Sequence, residues 1–266
     1  MYPVITFPYI DIYLFGVGLM VAWVLFFYGL HRRSIEAGIT KHIFSRITLF
    51  TLSIFIFSRM FYILGQWRIE RFIFEDFLSG NDTFITFLER FFLASGTGGY
   101  NLSFAGGVVG FVLVFLWLTR KQKKIKLSYL DIILPAFFVA AIAGYIGALL
   151  GGQIYGIPFD SFFSIQYAHK FNIVPLQKAL FPLPVLYILM AIIGVVGNHF
   201  LQKKQVPKGF IGAVGIGYVS SVLFIFEFLS GDSDTFASHI GINMTQILAL
   251  FGIGVTFWIF FKILRA

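Results

Sequence analysis

Residues 132–154, IILPAFFVAAIAGYIGALLGGQI, contain no charged side chain. As a helix, a segment of this length crosses about 30 Å of hydrocarbon. The chain has seven such apolar segments, each at least about 17 residues long: 12–30, 47–64, 102–118, 132–154, 183–200, 210–228 and 246–264. The composition is 58% hydrophobic and 12% charged, and a soluble domain with this balance would precipitate. The sequence therefore predicts an all-α polytopic membrane protein with seven transmembrane helices, since barrel strands span only about ten alternating residues.

Most of the 20 lysines and arginines lie after the first, third and fifth apolar segments and at the C-terminal end. Loops rich in lysine and arginine stay on the cytoplasmic side of a membrane. We therefore predict that the N-terminus lies outside and the C-terminus lies in the cytoplasm. The chain shows no repeat, so residues 1–266 are predicted to form a single membrane domain.

Two predicted outer connections are long. Within residues 65–101, the segments 69–78 and 84–92 place Phe, Ile and Leu at three- and four-residue intervals, which predicts two interfacial helices. These helices form either a lid that meets a substrate at the membrane surface or a simple cover for the end of the bundle. Residues 156–181 contain Pro158, Pro175 and several polar side chains, which predict an irregular loop with the potential to form a small cap.

The formal net charge is +8. In a membrane protein, basic residues beside the bilayer set the topology and attract anionic lipids, so we predict no nucleic-acid partner. The chain has no cysteine, which excludes a disulfide and catalysis by its own thiol. We predict no cofactor and no metal. Only His169 and His239, in outer loops, are placed to act as a general base in an outer-leaflet reaction.

Arg59 lies inside the second apolar segment, about four residues before its outer end. A charge at this depth costs about 2.5 to 3.5 kcal/mol on insertion scales, so it normally faces a cavity or a partner. Its planar guanidinium suits a phospholipid phosphate. Tyr62, one helical turn later, shares this face and is a second candidate. The alternatives are an ion pair with Glu227, near the outer end of the sixth segment, or an arginine that reaches the interface.

Glycines are dense in several predicted helices. Such spacing lets helix backbones approach closely, and it can also leave room for a ligand. Gly106 and Gly107 come at the start of the third helix, where free backbone amides can hold a phosphate or carbonyl oxygen. Asp131, at the start of the fourth segment, is predicted to cap that helix.

The glycine frame at residues 144–153, Gly-Tyr-Ile-Gly-Ala-Leu-Leu-Gly-Gly-Gln, resembles the signature of the prolipoprotein diacylglyceryl transferase family. Ser-Arg-Met-Phe-Tyr at 58–62 and Phe-Pro-Leu-Pro-Val-Leu-Tyr at 181–187 support the resemblance, which covers nearly the whole chain. The resemblance implies seven helices in the bacterial inner membrane. It also implies transfer of the diacylglyceryl group of phosphatidylglycerol to the lipobox cysteine of a lipoprotein precursor, so both molecules are predicted partners.

The family pattern also identifies positions where this chain has lost the expected side chain. The family signature reads approximately Gly-Arg-Ile-Gly-Asn-Phe-Ile-Asn-Gly-Glu, and other motifs supply a helix-one tyrosine, a histidine before Gly-Gly and a helix-six arginine. Those positions hold Phe15, Ala105, Tyr145, Ala148, Gly151, Gln153 and Leu223 here. The positions that match the family, and that we predict to bind substrate, are Arg59, Tyr62, Gly106, Gly107, Gly144, Gly147, Gly156 and Glu227.

The replaced residues leave three functional classes. The first is a divergent transferase in which Tyr145, Gln153 or His169 takes over the chemistry. The second is a catalytically inactive relative that binds phospholipid, a lipoprotein precursor or another membrane protein. The third is a small transporter, which the lack of charges at mid-membrane and of paired broken helices disfavours.

Overall fold

A computed structural model of the chain describes residues 3–7, 11–38, 43–93, 102–121, 126–167, 174, 178–231 and 241–265. Two short strands come first, β1 (Val4–Thr6) and β2 (Asp11–Tyr13). The helices that follow are α1 (Leu14–Glu36), α2 (Ile47–Gly65), α3 (Trp67–Glu70), α4 (Phe72–Leu78), α5 (Phe84–Leu93), α6 (Phe104–Thr119), α7 (Lys126–Gly151), α8 (Leu183–Gln202), α9 (Phe210–Phe226) and α10 (Met244–Leu264). A 3₁₀ turn, Glu227–Leu229, continues α9.

Within the described residues, six helices are long and apolar enough to cross a membrane: α1, α2, α7, α8, α10, and α9 together with its 3₁₀ turn. The third predicted segment forms α6, which has 16 residues. At 1.5 Å per residue this helix is about 24 Å long, shorter than the hydrocarbon core of about 30 Å. The chain is therefore a helical, multi-pass membrane protein, and a seventh span stays a prediction.

Several predicted helix boundaries differ in the structure, and two of the differences have a clear physical cause. The first helix was expected from residue 12, but Asp11–Tyr13 pairs with Val4–Thr6 as an antiparallel hairpin, so α1 begins at Leu14. The fourth was expected to run to residue 154, but α7 ends at Gly151 because Gly152 has a φ of +69°. This left-handed conformation ends a helix at low cost only for glycine, and it places Gln153 outside the helix.

By their internal contacts, the described elements form two compact units. The first unit comprises Met1–Ser45, Gln122–Asp232 and Leu248–Ala266. In this unit α7 packs against α1, α8 and α9. The helix that contains most of the apolar segment 132–154 is therefore the central helix of the unit.

Helices α1 and α7 meet through paired glycines. A Cβ atom added to Gly147 would lie 2.8 Å from the Cα of Gly18, and one added to Gly18 would lie 2.5 Å from the Cα of Gly147. Real Cβ atoms do not approach backbone this closely, so only glycine fits at both positions. Small residues allow this approach, which supplies the dispersion contacts that hold helices together in lipid.

Asp131 caps a different helix from the one predicted. It lies inside α7 rather than at its start, because α7 begins at Lys126. Its carboxylate accepts hydrogen bonds from the amides of Gly209 at 2.6 Å and Gly212 at 2.8 Å. These amides open α9, whose first N–H groups have no partner within the helix. Asp131 therefore attaches the start of α9 to α7.

The second unit comprises Arg46–Lys121 and Ser233–Ile247, and its core is the packing of α2 against α6. A Cβ atom on Gly110 would lie 2.5 Å from the carbonyl oxygen of Ser53, while the Ser53 hydroxyl donates to the Gly110 carbonyl at 2.9 Å. The Ser103 amide donates to the Ser58 carbonyl at 3.0 Å. These contacts fix the start of α6 against α2.

The two helices predicted within residues 65–101 are present as α4 and α5, preceded by the single turn α3. We call α3 to α5 the outer arm, after the predicted topology. Arg90 of α5 forms ion pairs with Asp76 at 2.7 Å and Asp82 at 2.8 Å. Successive ring contacts also join the two helices, through Phe74, Phe77, Phe84, Phe87 and Phe91. These ion pairs and ring contacts join α4 and α5 into a helical hairpin.

Two glycines of the signature give opposite predictions for substitution by alanine. At Gly144 a Cβ atom would make an ordinary 3.6 Å contact with the Ala22 Cβ, whereas at Gly147 it would strike the backbone of Gly18. We expect Gly147→Ala to lower the free energy of unfolding by about 1–3 kcal/mol and Gly144→Ala to have little effect. Thermal unfolding in detergent measures both. Equal loss in the two variants would contradict this account of the α1–α7 contact.

Candidate functional site

The predicted site residues divide between the two units. Arg59, Tyr62, Ala105, Gly106 and Gly107 belong to the second unit, and the others belong to the first. Within the described residues no three His, Cys, Asp or Glu side chains form a group able to hold a metal ion.

Arg59 is fully buried, with 0% of its surface exposed. Its Nε donates to the carbonyl oxygen of Phe91 in α5 at 2.5 Å, and its Nη2 lies 3.6 Å from the Glu70 carboxylate of α3. Its guanidinium carbon lies 5.3 Å from the centre of the Tyr62 ring, within range of a cation–π contact. Arg59 therefore anchors the outer arm to α2.

Glu70 was not singled out in the sequence, although it is 8% exposed and pairs with Arg59. Its signal was an acidic residue in the apolar stretch directly after α2. The sequence suggested an ion pair between Arg59 and Glu227 as one alternative. In the structure, Arg59 forms an ion pair with Glu70. An internal ion pair accounts for the depth of Arg59 without a ligand.

The backbone amides of Gly106 and Gly107 have partners within the chain. Gly106 donates to the Ser103 hydroxyl at 3.4 Å, and Gly107 donates to the Ser103 carbonyl at 3.1 Å. A Cβ atom on Gly107 would lie 2.8 Å from the Ser58 hydroxyl, and Ala105 is 1% exposed. These positions therefore lie in the contact between α6 and α2, and the amides of both glycines already have hydrogen-bond partners.

In the first unit, the position of the family's signature arginine holds Tyr145. Its ring stacks on Tyr187 of α8, with centres 5.0 Å apart and planes 15° from parallel. The Tyr187 hydroxyl donates to the Glu227 carboxylate at 3.2 Å, and Tyr187 itself is 2% exposed. Tyr145, Tyr187 and Glu227 form what we call the tyrosine–glutamate cluster. It offers two phenol groups and one carboxylate where the family pattern places a cation.

Two of the replaced positions lie in contact. A Cβ atom on Gly151 would lie 2.7 Å from the Cβ of Phe15, so the phenylalanine occupies the space that a side chain at residue 151 would need. The family pattern places a tyrosine and an asparagine at these positions. In this chain neither position has a polar side chain, and the Cβ of Phe15 leaves no room for a side chain at residue 151.

The other replaced positions hold either a buried apolar side chain or a residue that makes a local backbone hydrogen bond. Ala148 is 2% exposed and Leu223 is 6% exposed, so both are buried in helix packing. The backbone amide of Gln153 donates to the Ala148 carbonyl at 3.1 Å, which closes the C-terminal end of α7. The structure gives the buried positions no polar atom to replace the expected asparagine and arginine.

Gly156 lies where three chain segments meet. A Cβ atom there would lie 2.6 Å from the Phe181 carbonyl oxygen and 3.1 Å from that of Leu229. The Ile157 amide donates to the Leu229 carbonyl at 3.0 Å, and the Phe181 amide donates to the Ile157 carbonyl at 2.9 Å. Gly156 therefore brings the loop after α7 against the start of α8 and the 3₁₀ turn that holds Glu227.

The described part of the second outer loop has a small core of its own. Leu180 pairs with Pro158 and Ile165 through isolated bridges, and Tyr167, Val174 and Leu180 are buried together. Burial raises the pKa of Tyr167 to about 12. Among the described residues its hydroxyl has no hydrogen-bond partner. His169 and His239, the two candidate bases, lie outside the described residues.

The model of the prolipoprotein diacylglyceryl transferase family matches residues 3–262. The chain belongs to this family. The match supports the resemblance seen in the glycine frame and extends it over nearly the whole chain.

Relatives of this transferase family member include phosphatidylglycerol–prolipoprotein diacylglyceryl transferases from three bacteria. The protein of Chlorobaculum tepidum is 29% identical over 62% of this chain and 57% of its own length. That of Nitrosomonas europaea is 31% identical over 62% of this chain and 60% of its own length. That of Helicobacter acinonychis is 30% identical over 56% and 53%. The matches thus span little more than half the length of these relatives.

The burial of Arg59 gives a first prediction for this site. Arg59→Ala leaves the Glu70 carboxylate and the Phe91 carbonyl buried without their guanidinium, and we expect a loss of about 3–5 kcal/mol in unfolding free energy. Because the double variant Arg59→Ala, Glu70→Ala removes both charges, its loss should be smaller than the sum of the two single losses. Arg71→Ala is the control, since the Arg71–Glu75 pair is exposed. Strictly additive losses would contradict the pair.

Tyr167 gives a second prediction. The buried phenol stays neutral in the folded chain up to about pH 12, whereas it ionises near pH 10 when unfolded. The wild type should therefore lose stability relative to Tyr167→Phe as the pH rises from 10 to 12, by up to about 2 kcal/mol. At pH 7 the variant should be at least as stable as the wild type, because the buried hydroxyl has no partner among the described residues and its removal relieves a desolvation cost.

The matched control for this measurement is Leu180→Ala, which removes a side chain with 0% exposure from the same small core. It should lose about 2–5 kcal/mol equally at pH 7 and pH 11. Thermal unfolding across the pH range measures all three proteins. A constant difference between the wild type and Tyr167→Phe would show that the Tyr167 hydroxyl is solvated.

Proposed function

We propose that this family member binds phosphatidylglycerol and the lipobox segment of lipoprotein precursors in the bacterial inner membrane, and that it transfers the diacylglyceryl group far more slowly than a relative with the complete family signature. We further propose that it crosses the membrane seven times, with its N-terminus outside and its C-terminus in the cytoplasm. The tyrosine–glutamate cluster is the observation that carries the proposal.

The family reaction defines what this cluster must do. The cysteine sulfur of the precursor forms a bond to the glycerol carbon of the diacylglyceryl group, and the bond from that carbon to the phosphate oxygen breaks. The thiol proton must go to a base, since the thiol pKa is about 8.5. The departing glycerol phosphate carries negative charge, which fixed cations or hydrogen-bond donors stabilise.

The replaced side chains remove both kinds of help. Losing one donor of this type costs about 3 to 4 kcal/mol in transition-state stabilisation, and losing a general base costs about 10²- to 10⁴-fold in rate. Tyr145 stands where the signature has its arginine, and it stacks face to face on Tyr187. A stacked phenol donates one neutral hydrogen bond, whereas a guanidinium offers a bidentate and charged one.

The same residues still suit the binding of a lipid headgroup. Phenol hydroxyls donate to phosphate or glycerol oxygens, and aromatic rings pack against acyl chains at the membrane interface. The outer arm is itself suited to the membrane interface, because the apolar side chains of Leu78, Phe84 and Ile85 are 82%, 62% and 69% exposed. Exposed apolar residues on an amphipathic hairpin fit the boundary between headgroups and tails.

A second candidate function is full diacylglyceryl transfer with substitute groups. The hydrogen bond from Tyr187 to Glu227 favours it, because a carboxylate held beside a phenol can accept a proton through that hydroxyl. In that mechanism the Tyr187 hydroxyl passes its proton to Glu227 as it receives the thiol proton, and Tyr145 donates a hydrogen bond to the departing phosphate.

The two functions give different results in one assay. Purified protein is incubated with phosphatidylglycerol carrying a labelled diacylglyceryl group and with a lipobox peptide, beside a motif-complete relative as a positive control. We expect the chain to retain labelled phospholipid but to transfer the label at least about 100-fold more slowly. Transfer at the rate of the relative, abolished in Glu227→Gln, would establish the second candidate instead. Neither binding nor transfer would overturn both.

Tyr187→Phe distinguishes a binding role from a proton-transfer role. Loss of one hydroxyl that bonds to a carboxylate should weaken phospholipid binding only slightly, within about tenfold. In a proton-relay mechanism the same variant would lower the transfer rate and leave lipid binding unchanged. Tyr218→Phe is the control, because the Tyr218 hydroxyl donates to the Met190 carbonyl and lies outside the tyrosine–glutamate cluster.

A further inference from the structure

A second polar cleft lies in the first unit, where the C-terminal ends of α1 and α8 meet α7. Arg33 of α1 and Asn198, His199 and Gln202 of α8 line it, together with apolar side chains of α7. Asn198 follows Tyr187 by eleven residues on α8, which is about 16 Å along the helix. The cleft is therefore separate from the tyrosine–glutamate cluster. We propose that it binds the phosphodiester group of a second phospholipid.

Asn198 is the first observation that points to a ligand. The residue is 5% exposed, and among the described residues its side-chain nitrogen has no hydrogen-bond partner. Buried amide donors almost always have a partner, and an unsatisfied one is unfavourable. Asn198 lines the cleft, and its side-chain nitrogen has hydrogens to donate. The missing partner is therefore a hydrogen-bond acceptor.

Arg33 supplies the charge for that acceptor. Its neighbour Arg32 pairs with Glu36 at 3.0 Å on the exposed side of α1, whereas in the described part of the chain no carboxylate forms an ion pair with Arg33. Arginine and the side-chain nitrogen of asparagine are donors only. Together they select an anion with several acceptor oxygens, and a guanidinium binds a phosphate through two parallel hydrogen bonds.

The surroundings of the cleft favour a lipid over free phosphate. Pro135 and Val139 of α7 form part of its wall, and Val139 is 37% exposed. On α8, the Phe200 ring lies 6.1 Å from that of His199, which lines the cleft, and Phe200 is 60% exposed. These side chains form an apolar surface along which acyl chains can lie. The cleft has a volume of about 100 Å³, so it could hold only a small part of a lipid, and the tails would extend outside.

Helix dipoles act against a small free anion here. The C-terminal ends of α1 and α8 carry partial negative charge, which opposes any phosphate, and a bare phosphate has no other contact to offset that repulsion. A phospholipid also buries its tails against α8, which adds hydrophobic contact to the two polar interactions. In the proposed orientation these helix ends face the cytoplasm, so the lipid would come from the inner leaflet.

The test measures lipid binding to the full chain by native mass spectrometry after delipidation in detergent. Dioleoyl phosphatidylglycerol is titrated into the wild type, into the double variant Arg33→Gln, Asn198→Leu, and into Arg32→Gln as the matched control. We expect the double variant to lose one bound lipid or to bind it at least tenfold more weakly. The control, whose arginine pairs with Glu36 instead, should match the wild type. Equal lipid binding by the double variant and the wild type would overturn the proposal.

Asn198→Leu alone separates a binding role from a structural one. If the side-chain nitrogen serves a lipid, its loss should leave the melting temperature of the delipidated protein unchanged or higher and should weaken lipid binding. A lower melting temperature with unchanged lipid binding would overturn the proposal, because the amide would then hold the fold.

A final arm identifies the source of the phosphate. Inorganic phosphate at millimolar concentration should not displace the bound lipid, whereas dihexanoyl phosphatidylglycerol should compete with it. Displacement by inorganic phosphate at the same concentration as the short-chain lipid would overturn the lipid assignment. Tyr187→Phe should leave binding at the cleft unchanged, so this site and the proposed transferase site can succeed or fail separately.

Discussion

Close contact between helix backbones is the constraint on which this structure depends. In lipid, burial of apolar side chains between helices gains little, because the acyl chains are equally apolar. Association must come from dispersion contacts and from hydrogen bonds, and both require backbones to approach. Gly18 meets Gly147 in the first unit, and Gly110 meets the Ser53 carbonyl in the second. Much of the glycine frame shared with the transferase family therefore holds helices together.

Two charged side chains in the described helices also join separate elements of the fold. Arg59 joins α2 to the arm through Glu70 and the Phe91 carbonyl, and Asp131 joins α7 to the start of α9. Each charge satisfies backbone or side-chain groups that would otherwise be unpaired in a nonpolar environment. The fold therefore gives a structural role to Arg59, which is fully buried, and to Asp131, which is half-buried.

The positions at which the family resemblance implies polar side chains have close neighbours in this chain. The Cβ atom of Phe15 lies beside Gly151, and the Tyr145 ring stacks on that of Tyr187. A core that had only lost its polar groups would contain voids or unpaired atoms. The observed packing supports a stable site with different chemistry, which favours lipid binding over rapid transfer.

Sequence alone determined that the chain is a helical membrane protein of this family, because hydrophobic length and glycine spacing are local properties that survive substitution. It also located the helices of the outer arm from their periodicity. It did not determine the partner of Arg59, because Glu70 becomes its neighbour only when α3 folds back onto α2. It assigned Asp131 to the wrong helix, since the amides that this carboxylate caps are 78 and 81 residues away. The pairing of Tyr145 with Tyr187 and the cleft at Asn198 likewise depend on helix packing. Tertiary structure decides such contacts because they join positions that no sequence spacing relates.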